Sequence, residues 1–138
     1  MNQDIIKSKI KLLSENLIKL ETNLPRNFED FQKNDIIVSA TERYFQIIVD
    51  AIIDCNQLLI EDNNLPISET YFNTFNILTN ANMFPESLLN NLAYCVGTRN
   101  VIVHRYEQIQ LKREYEDILK YIPLFKEYLK IISTNILL

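Results

Sequence analysis

One glycine, Gly97, in 138 residues restricts the folds open to this chain more than any other feature. Tight β-hairpins draw on glycine for their positive-φ turns, and dinucleotide- and phosphate-binding α/β folds need glycine-rich loops. With one Gly and four Pro, the chain is expected to be all-α. Apolar residues make up 47% of it, enough for a globular core and too many for a disordered chain. The length is that of one domain, covering residues 1–138.

The net charge of −4 gives no basic signature, so a nucleic acid would have to be held by a local patch of cations. Cys55 and Cys95 stand alone at apolar helical positions, without CxxC spacing and without a nearby His. They read as reduced core cysteines of a cytoplasmic protein. Met1-Asn2-Gln3-Asp4 has neither the basic nor the apolar region of a signal peptide. No apolar run approaches the ~18 residues of a membrane span, and no membrane partner is expected.

Apolar spacings of three and four predict a first helix over 3–22, ended by Asn23-Leu24-Pro25. A short helical turn at 27–31 precedes Asn34, which suits the N-cap of a helix over 35–61. That stretch has the longest apolar stripe and is the expected central element. Arg43, Gln46 and Asp50 interrupt it as interior-facing polar candidates. After a turn cluster at 62–66, Ser68 can cap a helix over 69–80. Pro85 fits the first position of a helix over 85–106. A last helix or helix pair covers 111–134, with Pro123 expected to divide or kink it. The expected architecture is an up-and-down bundle of four or five helices.

The third of these long patterns carries the chemistry. Gly97-Thr98-Arg99-Asn100-Val101-Ile102-Val103-His104-Arg105-Tyr106 holds the only Gly and the only His of the chain. With Arg99 set at zero on a helical wheel, Asn100, His104 and Glu107 fall at about 100°, 140° and 80°. Val103 and Tyr106 fall at about 40° and −20°. Arg99, Asn100 and His104 can therefore face one concave region, with Arg99 and Tyr106 at the core boundary.

Arg offers a fixed cationic fork for phosphate, and His is the usual proton-transfer group at neutral pH. Asn can orient the imidazole, and Tyr can donate, stack or be modified. This set suits attack of a ribose 2′-OH on the adjacent phosphate, with Arg stabilising the transition-state charge. Such chemistry calls for no metal and no cofactor. One His per chain is short of an acid–base pair, which favours a homodimer that brings two copies of His104 to one cleft. A structural role for His104, with Arg99 paired to an acidic neighbour, fits the same residues.

The spacing Arg99-Asn100-x-x-x-His104-x-Tyr106 resembles the RNxxxHxY signature of the HepT-like branch of the HEPN superfamily. Thr41-Glu42-Arg43-Tyr44-Phe45-Gln46 and Ala51-Ile52-Ile53-Asp54 are similar to that branch's central helix. Tyr71 to Met83, Pro85-Glu86-Ser87-Leu88 and Val96-Gly97 follow in the family's order. The resemblance spans about residues 28–130. Thr98 and the Asn80-Ala81-Asn82 break depart from the pattern, and neither touches the motif.

The resemblance implies an all-α HEPN fold whose dimer gathers both motifs in one cleft. It implies a metal-independent endoribonuclease, the toxin of a toxin–antitoxin pair. Its antitoxin would be an MntA-like nucleotidyltransferase that silences it by transferring AMP to the motif tyrosine. By position, Arg99 and His104 would be catalytic, Asn100 supporting, and Tyr106 the modified residue. Arg43 and Arg105 would add contacts to RNA phosphates, in binding that is weak and salt-sensitive. The alternative is a non-catalytic HEPN partner of a nucleotidyltransferase that holds a nucleotide or RNA and cuts nothing.

Overall fold

The apolar stripe that begins at Asp35 forms the spine of the molecule. The structure is a computed structural model and describes residues 3–104 and 110–136. Its helices are α1 (Gln3–Asn23), α2 (Phe28–Gln32), α3 (Asp35–Asp62), α4 (Tyr71–Asn80), α5 (Glu86–Leu92), α6 (Cys95–Val103) and α7 (Leu111–Ile131), the last running into a π-helical turn at Ile132–Ile136. No strand occurs among the described residues, and the fold is all-α. None of these helices is long and apolar enough to cross a membrane.

Side-chain caps start α2, α3 and α4. Asn34 Oδ1 accepts from the N–H groups of Ile36 and Ile37, both at 3.1 Å, and Asn27 Oδ1 accepts from that of Asp30 at 2.9 Å. Thr70, not Ser68, caps α4 by accepting from the Asn73 N–H at 3.0 Å, so the helix begins at Tyr71. Asparagine then does the work of the missing glycines. Asn64 and Asn82 have φ values of 53° and 58°, in the left-handed region just after α3 and α4. At each end two backbone bonds close the helix: Leu65 N–H to Ile60 O and Asn64 N–H to Glu61 O, then Met83 N–H to Leu78 O and Asn82 N–H to Thr79 O. The Asn80-Ala81-Asn82 departure is thus a functioning C-terminal stop.

Three expected boundaries are corrected. The single helix over 85–106 is two helices, α5 and α6, joined at Ala93-Tyr94. There Val96 and Gly97 N–H groups bond three residues back, to Ala93 and Tyr94 carbonyls, tightening the turn. Pro85 is not the first helical residue but the residue before it, at φ −58° and ψ 136°. Pro123 does not divide α7, which runs unbroken from Leu111 to Ile131. Pro123 is exposed, and so is Leu119, whose carbonyl loses its helical partner. On an exposed face the bond that proline removes costs the helix least, since solvent can reach it.

The core forms where α3 meets α1 along its length and α7 closes over α1, α2, α5 and α6. Leu13, Leu17 and Leu20 of α1, Phe45, Ile48, Ile52 and Cys55 of α3, Leu89 and Leu92 of α5, and Ile118 and Phe125 of α7 are all buried. One buried polar chain crosses this core. Tyr128 Oη donates to Asn56 Oδ1 at 2.6 Å, Asn56 Nδ2 donates to Thr74 Oγ1 at 3.1 Å, and Thr74 Oγ1 donates to the Tyr71 carbonyl at 2.7 Å. The Tyr128 ring stacks on Phe84, with centroids 4.8 Å apart and planes 5° apart.

Candidate active site

Arg99 lies near the middle of α6, where that helix packs on α3. Its guanidinium is held side-on by Asp50: Nε donates to Oδ1 at 2.9 Å and Nη2 to Oδ2 at 3.4 Å. Nη1 donates to Asn100 Oδ1 at 3.1 Å. The side chain is 19% exposed and that of Asp50 40%, so the pair sits at the rim of the core and partly in water. A guanidinium carries five N–H donors. These contacts take three and leave one on each terminal nitrogen, an arrangement that fixes the group and still offers two donors to an anion.

Asp50 was legible only as a carboxylate in an apolar segment. The structure makes it the residue that orients Arg99, forty-nine positions away in sequence. Asn100 turns toward Arg99 and not toward the imidazole. Gln46 and Asp50 are half-buried, but Arg43 is exposed, which corrects its interior placement. Arg43 lies on the Asp50 face of α3, two turns earlier by helical period.

His104 ends α6, at φ −104° and ψ 23°, with its N–H on the Asn100 carbonyl at 3.0 Å. It is exposed, and its imidazole makes no hydrogen bond among the described residues. A buried structural histidine is thereby excluded. Arg105, Tyr106, Glu107 and Ile109 lie outside the described residues. Cys55 and Cys95 are buried free thiols, as their spacing suggested. Burial, then the charge of Asp54, pushes the Cys55 thiol up to about 12, and burial also raises that of Cys95. Neither is a nucleophile at neutral pH. Among the described residues no three His, Cys, Asp or Glu side chains are grouped to hold a metal ion.

The model of the family described as "Ribonuclease HepT-like" matches residues 5–132. The chain belongs to the HepT-like family. A curated relative, the mRNA nuclease HepT of Shewanella oneidensis, is 24% identical over 107 residues, covering 78% of this chain and 77% of that protein. Among solved structures, the tri-AMPylated Shewanella oneidensis HEPN toxin in complex with its MNT antitoxin matches with a TM-score of 0.87 and 22% identity, covering 98% of this chain and 100% of that one. A cytosolic protein of unknown function from Bacillus subtilis, YutE, matches with a TM-score of 0.83 and 16% identity over 97% of this chain and 90% of its own. These likenesses confirm the HEPN-type all-α fold. The HepT-like assignment also accounts for the order of the quoted motifs along the chain.

Proposed function

We propose that this HepT-like chain is a metal-independent endoribonuclease, the toxin of a toxin–antitoxin pair, working as a homodimer. The observation that carries the reading is a pinned cation followed, five residues on along the same helix, by an exposed imidazole. Asp50 fixes Arg99 while two of its donors stay open among the described residues, and His104 is exposed with no hydrogen-bond partner among them. In the reaction, His104 accepts the proton of a ribose 2′-OH. The 2′ oxygen then bonds to the adjacent phosphorus, and the bond from phosphorus to the 5′ oxygen breaks. Arg99 stabilises the extra negative charge on the non-bridging oxygens. The leaving oxygen takes a proton from His104 of a second copy, which supplies the acid that one chain lacks.

The relative named an mRNA nuclease and the neighbour described as a toxin bound to an MNT antitoxin support this reading. AMP transfer to Tyr106 by an MntA-like nucleotidyltransferase is the proposed off-switch. The tri-AMPylated state named for the Shewanella toxin supports it. The purified chain should cleave RNA in the presence of a chelator. Arg99→Ala and His104→Ala should each lower the rate by at least 10²-fold. Cleavage by both variants at the wild-type rate would overturn the assignment. Intact mass after co-expression with the nucleotidyltransferase should show added AMP in the wild type and none in Tyr106→Phe.

A further inference from the structure

The cations proposed for RNA leave a gap. Arg99 shares its charge with Asp50, and the whole chain carries a charge of −4. An open groove of about 800 Å³ lies between α6 and α7, on the side of α6 turned away from Arg99. Gly97 gives it a floor without a side chain, and a Cβ there would meet nothing within 4 Å. Tyr94 forms one wall. It is 62% exposed, yet its ring is held edge-on by Phe72, with centroids 5.8 Å apart at 67°. Val101, 46% exposed, continues that wall one turn past Gly97.

On the α7 side, Arg113, Asp117 and Lys120 follow at helical spacing and face the same groove. Arg113 and Lys120 are exposed, and neither has an ion-pair partner among the described residues. Lys120 Nζ lies 5.9 Å from the centroid of the Tyr121 ring beneath it. The half-buried Asp117 between them offers a carboxylate to a base amino group. An exposed ring held in place, with two cations alongside, matches how single strands of nucleic acid are bound: bases stack and phosphates meet cations. The second carboxylate of the lining, Glu114, is buried at the base of α7, and Asp117 is the one left within reach of a base.

We propose that the α6–α7 groove binds the single-stranded RNA flanking the scissile bond, stacking a base on Tyr94 and placing phosphates at Arg113 and Lys120. The proposal rests on the ribonuclease reading, and its test is separable from it. A labelled single-stranded RNA carrying 2′-O-methyl groups cannot be cut, so its binding to the full chain is read apart from cleavage, and variants confined to the groove isolate the groove's share. The Arg113→Gln/Lys120→Gln double variant should weaken binding at least tenfold at low salt. It should also flatten the slope of log Kd against log salt by about 1.4. Tyr94→Ala should weaken binding at least fivefold and leave the slope unchanged, since it removes stacking and no charge.

Undiminished binding by these variants, or no binding by the wild type, would overturn the groove. Loss of cleavage in His104→Ala would still stand as support for the ribonuclease. If the variants instead turn a dimer into monomers in a solution mass measurement, the groove is a contact between copies and the proposal fails.

Discussion

Asp50 governs the geometry of Arg99, the cation of the proposed site. Its carboxylate fixes the plane of the Arg99 guanidinium from the side, through Nε and Nη2. Asp50→Asn keeps the shape and removes the charge, so Arg99 should sample other rotamers. The expected result is a fall in kcat of RNA cleavage by about 10- to 10²-fold, with KM unchanged or lower because an anion near the phosphate is gone. Asp50→Glu should recover part of the rate. Steady-state kinetics of the two variants check this, and an unchanged kcat in Asp50→Asn would remove Asp50 from any positioning role. Spacing placed Arg99, Asn100 and His104 on one helix, because one helical period sets their order around it, while their proposed roles came from the family resemblance. The Asp50 contact was not, since no local pattern encodes a pair forty-nine residues apart.

Helix α6 is short and interrupts its own regularity. Gly97 lies inside it at a negative φ, with open space where a Cβ would go. Glycine there costs about 1 kcal/mol relative to alanine and relieves no strain within the chain. Gly97→Ala should therefore raise the stability by about 0.5–1 kcal/mol, read as a higher urea midpoint. The added methyl narrows the α6–α7 groove, so the same variant should bind the 2′-O-methyl RNA more weakly. A lower midpoint would mean that Gly97 serves the fold itself.

The long apolar stripes located α1, α3 and α7 to within a residue or so at their first turns, because periodic burial is written locally. The joint at Ala93-Tyr94 was invisible because neither residue is a breaker. There the edge-on contact of Tyr94 with Phe72, together with the three-back hydrogen bonds, reflects tertiary packing and not propensity. Pro123 does not divide the last helix, the first of its two expected effects, and it lies inside α7 at an exposed position.

At the scale of the whole molecule, α3, α4 and α7 are tied by the chain from Tyr128 through Asn56 to Thr74. Tyr128→Phe leaves the buried Asn56 oxygen without its donor and should cost about 1–3 kcal/mol in unfolding free energy. Denaturant titration checks it, and a change below ~0.5 kcal/mol would show that the network is not a stabilising cross-tie. The same interior sets an alkaline limit. Burial holds the thiols of Cys55 and Cys95 and the phenol of Tyr128 above their ordinary values of 9.0 and 10.0. The unfolded chain gives up those protons first, so their contribution is intact below pH 9 and lost as pH rises beyond it. The urea midpoint should be flat up to that pH and fall steadily toward pH 11. A midpoint that stays level would show that the buried groups ionise as freely as in the unfolded chain.

Because both native thiols are sealed and protonated, the folded chain is chemically blank toward thiol reagents. A single cysteine introduced at an exposed position such as Val103 becomes its sole reactive handle. One maleimide dye per chain would then report, by energy transfer between labelled copies, how close two motif helices come in solution.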